Sequence, residues 1–580
     1  MNLLNEIVSR IHQINPKNFF KVVFTGYFLF GMHYFDENMN GWGLYLPANI
    51  IGWIFVTTLI GIAFWQVFSF KKIEFSRTSV VYWLGFLFFL LPLTYSINKI
   101  SYQTTSRILF LFGGLFFYTA LIQFHFNKKE RFELLYIILV AVVIQSIIGL
   151  VQYYDLEIQS HWALFNMGIP NGTFTQRNVM STFMSTGIGI SLYLAYKDSS
   201  VSESILKQFI ILLIPLMGSI IILAHQSKVG YLGLMVLFLQ LFNVDIVKRV
   251  CQYWFLMLFI GLIVGSFSSL NNHSFHSNKK GLYDRDSIEQ LSSINSRITI
   301  YDRTFKMWKD NQYYGVGYGR WPRIFREYSA AESLISNEKD YVGDSPYRHP
   351  HNEILLWISE GGMAPLFGLL IFTSVYLIMI FQLCRKRDAL SHLALVLPIF
   401  LHTQFEYPFD ISLAHWIIFL TLVYLPDDLV KNNYIFEIKM TFIIPTILIV
   451  VSVYYYMAKT FVNTKILMRY ENSGMKDNQI LLRIDDPGLL YLKYENYILK
   501  ILLDAGLKTK NEEILKLFIE KGRKFISHFP KLHLYHGIKI ALLTIGQKKE
   551  AEYIDLKARY LFPYTYNEFH KNVESKKSDY

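Results

Sequence analysis

Long apolar runs constrain the fold of this chain more than any other feature of its sequence. Near-continuous apolar stretches of about 20 residues or more recur along it, for example at residues 48–69, 105–124, 132–153 and 352–382. A helix of that length crosses a hydrocarbon core about 30 Å thick. Only 17% of the 580 residues are charged, which is too few for the wetted surface of a soluble domain of this size. The runs therefore predict an all-α fold, a polytopic membrane helix bundle.

About 13 spans can be placed along the chain, with centres near residues 26, 58, 88, 114, 142, 187, 215, 236, 261, 367, 397, 418 and 448. Basic clusters fall in alternate loops, at Lys71-Lys72, Lys128-Lys129-Arg131, Lys197 with Lys207, Lys248-Arg249 and Arg385-Lys386-Arg387. Basic loops stay on the cytoplasmic side of a membrane. The net charge of +12 therefore indicates orientation in a lipid bilayer, and no nucleic-acid partner is expected.

The alternation also predicts which loops lie on the opposite face. With a cytoplasmic N-terminus, these are residues 35–47, 95–104, 154–178, 226–228, 271–351 and 403–410. We expect a multi-pass protein of the bacterial inner membrane whose candidate chemistry lies on the periplasmic face.

Two domains are predicted. Residues 1–458 form the transmembrane domain, which includes a large periplasmic loop at 271–351, and residues 459–580 form a polar C-terminal domain. An odd number of spans places this tail in the periplasm. The tail reads as amphipathic helices at about 488–505, 510–528, 533–545 and 548–561. These resemble a short tetratricopeptide-like stack, with a plain helical cap as the alternative.

The sequence His349-Pro350-His351-Asn352-Glu353 is the most specific candidate for chemistry. It stands where the long loop meets an apolar run, so Asn352 is placed to cap the next helix. A histidine at that boundary titrates near working pH and can take a proton from a hydroxyl group or orient it. The alternatives are a metal-binding pair and an interfacial histidine without chemistry.

Further polar side chains on the same predicted face suit an anionic substrate. Guanidinium groups offer a fork of donors that matches phosphate oxygens, and helix starts favour anions. An ordinary polar loop with a helix cap is the alternative reading of the segment at 176–178. The candidate residues are Gln176, Arg177, Asn178 and Arg297.

Two other segments are less specific. Gly315-Val-Gly-Tyr-Gly319 allows a tight turn and a close approach of the backbone to a partner. It is not placed between a strand and a helix, so it does not indicate a nucleotide-binding loop. In the last outer hairpin, Glu406 is placed to orient a histidine or a basic side chain, and Tyr407 is placed to stack on a sugar ring.

The order of these segments resembles the O-antigen ligase superfamily, and within it the protein O-oligosaccharyltransferases. His351-Asn352, nine residues and then Gly362 match the family signature, although Pro365 stands where a second glycine is usual. The arginine–aromatic–glycine segment at 297–321, the loop at 170–178, the turn at 226–230 and the Glu-Tyr-Pro turn at 406–408 also look like family segments. Lys228 replaces the usual arginine of its turn, which keeps the charge but not the bidentate geometry.

The resemblance implies an architecture like that of the GT-C ligases and a substrate of undecaprenyl diphosphate bearing a glycan. The glycan would be transferred en bloc, with inversion, to an acceptor hydroxyl. His351 would serve as base or orienting group with Asn352, Glu406 and Tyr407 beside it. Arg177, Lys228 and Arg297 would surround the diphosphate, with His349, Arg303, Arg320, Gln176 and Asn178 as further substrate contacts. No cofactor and no metal are expected, because the arginines would supply the metal's charge; Asp284 and Asp286 are read as part of a solvated loop.

The Glu-Tyr-Pro turn and the tail favour a protein acceptor such as a pilin, modified on serine or threonine. The alternatives within the same scaffold are an O-antigen ligase acting on lipid A core and a polysaccharide polymerase. A glycolipid flippase or transporter is less favoured, because ionisable groups are nearly absent from the span centres, with Glu360 as the main exception. A scaffold that docks proteins through its tail would leave the histidine and arginine segments unexplained.

Overall fold

A computed structural model of the chain describes residues 15–36, 41–95, 102–154, 169–244, 248–276, 286–336, 341–344, 347–383, 386–427 and 433–566. These ranges are mainly helical, which confirms the predicted all-α fold. Within them only two short strands form, β1 (Lys72–Phe75) and β2 (Tyr434–Glu437), paired antiparallel with Lys72 opposite Glu437.

The helices are numbered in chain order. They are α1 (Pro16–Leu29), α2 (Pro47–Phe70), α3 (Arg77–Leu90), α4 (Pro92–Tyr95), α5 (Tyr102–Gln123), α6 (Lys128–Tyr153), α7 (Arg177–Lys197), α8 (Ile205–His225), α9 (Lys228–Val236), α10 (Phe238–Leu241), α11 (Arg249–His276), α12 (Asp286–Asp310), α13 (Trp321–Ser336), α14 (Tyr341–Asp344), α15 (Glu353–Gly361), α16 (Met363–Leu383), α17 (Lys386–His402), α18 (Pro408–Ile411), α19 (Leu413–Tyr424), α20 (Ile443–Asn472), α21 (Tyr491–Thr509), α22 (Glu512–Ile526), α23 (Leu532–Thr544) and α24 (Lys548–Leu561).

All thirteen predicted span centres fall inside helices. In the part of the chain that the structure describes, nine helical segments are long and apolar enough to cross a membrane, which identifies a multi-pass membrane protein. The other four centres lie in α1, α9, α17 and α19, which are shorter than 18 residues.

The chain divides into two compact units. Unit 1 comprises Met1–Leu84, Phe110–Asp284 and Ile371–Met468, and unit 2 comprises Gly85–Leu109, Arg285–Leu370 and Arg469–Tyr580. The predicted boundary between a transmembrane domain and a tail at residues 458 and 459 falls within α20, and as a domain boundary it stays a prediction.

Unit 1 is built around α7, which is buried over nearly its whole length between α6, α8, α9 and α17. Apolar burial alone does not bring membrane helices together, so their contacts depend on small residues that let backbones approach. At Gly187 an added Cβ would strike Val142, and at Gly233 it would strike Ser185. The small residues of this unit therefore account for its close helix packing.

The last four helices of unit 2, α21 to α24, agree with those predicted for the tail. Helix α22 shows why they form: Asn511 caps it, Glu512 and Glu513 stand in its first turn, and Arg523 and Lys524 stand in its last. These charges complement the helix dipole. The likeness to a tetratricopeptide stack stays a prediction.

The hydrophobic core of the tail extends onto α13. Ala330 of α13 lies in the same buried cluster as Phe518, Ile538 and Leu542 of the tail. The tail and α13 therefore share one core.

Polar contacts join the same two regions. Arg323 donates from Nη1 to the hydroxyl of Tyr535 at 2.8 Å, and the guanidinium of Arg326 lies 4.4 Å from the ring centroid of Phe562. The carboxylate of Asp344 accepts hydrogen bonds from the backbone amide of Thr565 at 2.7 Å and that of Tyr564 at 3.0 Å. These contacts fix the tail on α13 and the short α14.

Candidate functional site

The loop before α7 is held by two glutamines of α6. The amide of Gly172 donates to Oε1 of Gln152 at 2.7 Å, and the amide of Thr173 donates to Oε1 of Gln145 at 2.9 Å. Gly172 has a φ of +62°, and a Cβ there would collide with Gln145. The loop is thereby fixed just before the start of α7.

Four of the predicted substrate residues come together at the start of α7 and α9. Gln176 precedes α7, Arg177 is its first residue, and both are exposed. Asn178 accepts a hydrogen bond at 2.9 Å from the hydroxyl of Ser227, which caps α9 through the amide of Gly230. Lys228, the first residue of α9, is also exposed.

Two helix N-termini therefore meet beside two cations. Backbone amides at a helix start point outward without partners, and the helix dipole adds positive potential there. This arrangement, which we call the amide cluster (Gln176, Arg177, Asn178, Ser227 and Lys228), is suited to an anion such as a phosphate.

Three buried histidines from three other helices contact the first turns of α7. Nδ1 of His225 lies 2.9 Å from Oγ of Ser181, Nδ1 of His402 lies 2.9 Å from Oγ1 of Thr182, and Nε2 of His415 lies 3.1 Å from the carbonyl oxygen of Val179. No role is predicted for them from the sequence, because residues so far apart in the chain give no local signal.

Glu406 and Tyr407 lie in the turn after α17 and are buried, with exposed fractions of 8% and 3%. The backbone amide of Glu406 donates to the carbonyl oxygen of His402 at 3.0 Å. The predicted sugar stacking by Tyr407 and the orienting role of Glu406 stay predictions.

In unit 2, His351 adopts a backbone conformation that is unfavourable for a residue with a side chain. Its φ is +55°, in the left-handed region. The hydroxyl of Tyr301 on α12 donates to its carbonyl oxygen at 3.1 Å, and its own amide donates to Nδ1 of His349 at 3.3 Å. Strained backbone of this kind concentrates at active sites, where surrounding contacts hold it.

His349 supports His351 as a neutral ring. Burial, followed by the proximity of His351 and Arg348, lowers the pKa of His349 well below its usual value. An uncharged imidazole can accept at Nδ1, as the amide of His351 requires. The two rings lie 4.6 Å apart in an edge-to-face arrangement.

Asn352 caps α15, as its position in the sequence predicts. Its Oδ1 accepts a hydrogen bond from the amide of Leu355 at 2.9 Å. The helix start is therefore defined immediately after His351.

The glycine segment packs against the end of α15. The amide of Val316 donates to the carbonyl oxygen of Ser359, and that of Gly317 donates to the carbonyl oxygen of Glu360, both at 2.9 Å. Gly315 (φ +67°) and the signature residue Gly362 (φ +71°) approach so closely that a Cβ on either would collide with backbone. These glycines therefore let the backbone of their segment approach α15, the helix that follows His351.

The three arginines predicted between residues 297 and 321 differ in their surroundings. Arg303 is buried and pairs through Nε with Glu332, with Ser329 at 3.2 Å from Nη1. Arg297 and Arg320 are half-buried, and the backbone amide of Arg320 closes the glycine turn on Gly317 at 3.2 Å. Their roles toward the substrate stay predictions.

Arg107 is a candidate functional residue that was not predicted from the sequence. It forms a buried ion pair with Glu360, in which the two side chains are 12% and 2% exposed. Its guanidinium lies 4.9 Å from the ring centroid of Trp357. The signal available in the sequence was Glu360, a carboxylate in an apolar run, which requires a partner.

No group of three or more histidine, cysteine or acidic side chains suited to a metal occurs among the residues that the structure describes. Asp286 begins α12, and Asp284 lies outside the described residues.

Comparisons with known proteins give two matches. A family model described as O-antigen ligase matches residues 211–373, a range that includes Lys228, Arg297, Arg303, Arg320, His349, His351 and Asn352. A second model, described as the C-terminal region of a virulence factor membrane-bound polymerase, matches residues 390–577, which include Glu406, Tyr407 and the tail. No curated protein and no solved structure matches the chain.

Proposed function

We propose that this chain, which a family model described as O-antigen ligase matches over residues 211–373, transfers a glycan en bloc from undecaprenyl diphosphate to serine or threonine hydroxyls of periplasmic or pilin proteins. The reaction would take place at the periplasmic face of the bacterial inner membrane. There the polyprenyl chain of the donor can stay in the bilayer while its sugar meets a water-exposed acceptor.

The observation that carries this proposal is the conformation of His351. A left-handed backbone, anchored by Tyr301 on its carbonyl oxygen and by neutral His349 on its amide, fixes the imidazole at the end of a loop. His351 as a whole is half-buried rather than enclosed. A preorganised, accessible imidazole is what a base acting on a hydroxyl group requires.

In the proposed step, His351 takes the proton of the acceptor hydroxyl as its oxygen attacks the anomeric carbon. The bond from that carbon to the diphosphate oxygen breaks, and its electron pair leaves with the diphosphate. Attack opposite the leaving group inverts the anomeric centre. The proton then passes from His351 to water, which restores the base.

The negative charge that develops on the leaving diphosphate needs fixed positive partners. The amide cluster suits this role because Arg177 and Lys228 are exposed at two helix starts. Arg297 and Arg320 are further candidates, whereas Arg303 already pairs with Glu332. No step of this scheme requires a metal or a cofactor.

A protein acceptor is supported by the Glu-Tyr-Pro turn at residues 406–408 and by the extra tail. Ligation to lipid A core and polymerisation of the glycan use the same donor and are the competing outcomes. The test is incubation of the purified protein with a lipid-linked oligosaccharide and, separately, a pilin, lipid A core or the donor alone. Intact mass should increase by one glycan on the pilin, and not with His351→Ala. Transfer to lipid A core without any transfer to protein would refute the acceptor assignment.

A further inference from the structure

Arg107 is a charged residue close to the start of the membrane-spanning helix α5. A buried cation in such a helix is costly, so it is retained where it pairs with another group or contributes to function. The ion pair with Glu360 engages only one of the two terminal nitrogens of Arg107.

Both carboxylate oxygens of Glu360 already accept hydrogen bonds. One carboxylate oxygen accepts from Nη2 of Arg107, and the other accepts from the backbone amide of Trp321 at 3.0 Å. The indole of Trp357 covers the guanidinium at 4.9 Å. The ion pair with Glu360 and the contact with Trp357 therefore fix the plane and the direction of the Arg107 fork.

The second terminal nitrogen of the guanidinium, Nη1, takes no part in the ion pair. Nη1 of Arg107 is buried and has no hydrogen-bond partner among the described residues. A buried donor without an acceptor destabilises a fold, and such groups are rare in native proteins. His349 lies within electrostatic range of Arg107, since this cation contributes to lowering the pKa of His349.

We infer that Arg107 is a phosphate-binding residue, whose Nη1 donates to a phosphate oxygen while Glu360 and Trp357 hold the guanidinium in place. This inference rests on the proposed function, because the diphosphate of the donor is the anion in question. A guanidinium held on one side by a carboxylate still presents a directed donor on the other. The family resemblance did not point to this residue.

The variant Arg107→Lys separates this role from a structural one. A lysine has a single nitrogen, which can preserve the ion pair with Glu360 but leaves none in the place of Nη1. We expect thermal stability close to the wild type and a loss of kcat/KM for the lipid donor on the order of 100-fold. Wild-type activity in Arg107→Lys would overturn the inference, since the ion pair alone would then be sufficient.

A binding measurement keeps the inference testable without turnover. Inorganic pyrophosphate in solution and undecaprenyl diphosphate in nanodiscs are each added to wild-type protein and to Arg107→Lys, and the melting temperature is recorded. Stabilisation of the wild type alone by both ligands supports a site for the phosphate group itself. Stabilisation of the wild type alone by the lipid supports a site for the membrane-bound headgroup. Equal stabilisation of both proteins would overturn the inference.

The matched control is the double variant Lys521→Gln/Glu495→Gln. It neutralises another ion pair of unit 2, with 3.1 Å between Nζ and Oε1, in which Glu495 is also buried. Its donor kinetics should equal those of the wild type. If the wild type transfers no glycan, the proposed function fails, but loss of pyrophosphate stabilisation in Arg107→Lys would still support the phosphate site.

Discussion

The amide cluster of unit 1 and the histidine loop of unit 2 (His349, Pro350 and His351) hold their candidate residues in opposite ways. In the amide cluster, Arg177 and Lys228 are exposed, and order comes from the side-chain hydrogen bond that Ser227 donates to Asn178. Around the histidine loop, Arg107 and Arg303 are paired with the carboxylates of Glu360 and Glu332, and the proposed base is the strained residue His351. We therefore expect activity to depend mainly on charge in the amide cluster and mainly on backbone geometry in the histidine loop.

The largest expected effect tests the histidine loop. His351→Ala removes the proposed base, and transfer should fall by about 1,000-fold while the fold is kept. His392→Gln is the control, because His392 is a buried histidine of α17 that belongs to neither region. Initial rates of glycan transfer and far-ultraviolet circular dichroism check this, and a fully active His351→Ala would exclude a catalytic histidine.

Charge removal tests the amide cluster. Arg177→Gln combined with Lys228→Gln should lower kcat/KM by about 100-fold, since fixed cations stabilise the charge on the leaving group. Lys72→Gln removes an equally exposed cation from β1 and should change nothing. Steady-state kinetics with varied donor would reveal the effect, and an unchanged rate would mean that the two helix starts do not serve the donor.

Backbone geometry should matter most at the signature glycine. Gly362 has φ +71° and ψ −144°, and an added Cβ would also strike Tyr313, so Gly362→Ala should cost about 3 kcal/mol of unfolding free energy. Gly546→Ala is matched for positive φ (+82°) but has open space around it, so it should cost about 1 kcal/mol. Chemical or thermal unfolding measures both, and equal losses would show that close approach is unimportant.

Acidification should weaken unit 2 through His349. Because the pKa of His349 is lowered in the folded protein, the unfolded chain binds the proton first as pH falls below about 6.5, and stability decreases. His349→Asn keeps an acceptor in place of Nδ1 without titrating, so its loss of stability between pH 7 and pH 5 should be smaller by about 1 kcal/mol. Melting temperatures at the two pH values decide this, and parallel curves would assign the acid sensitivity to other groups.

The smallest expected effect is that of a chelator. In the proposed mechanism, arginine and lysine side chains balance the charge of the leaving group, so excess chelator should leave the transfer rate unchanged in the purified protein. Complete inactivation that is reversed by a divalent cation would contradict this assignment in both regions.

The sequence predicted the elements whose signals are local. Apolar runs identified the spans, and the cap at Asn352 followed from its place before an apolar run. The helix predicted to end near residue 505 continues to Thr509, and Gly506 lies inside α21, where its missing side chain lets Leu515 pack closely. A glycine pattern alone does not separate a helix end from a close packing contact.

The sequence could not predict contacts between distant segments. Arg107 and Glu360 are 253 residues apart, and neither belongs to the motifs that carried the family resemblance. The three histidines that contact α7 come from three separate helices, so no spacing in the sequence relates them. Arg303 was expected among the substrate contacts, and its pairing with Glu332 became visible only when α12 and α13 were placed side by side.

Ala330 has a consequence for attempts to exchange parts between related enzymes. Since this residue of α13 lies in the core of the tail, a chimaera joined just before the tail would graft a foreign hydrophobic surface onto a helix shaped for the native one. Residues 321–344 and the tail are therefore best exchanged together. Natural recombination among related proteins should likewise keep α13 and the tail from the same parent.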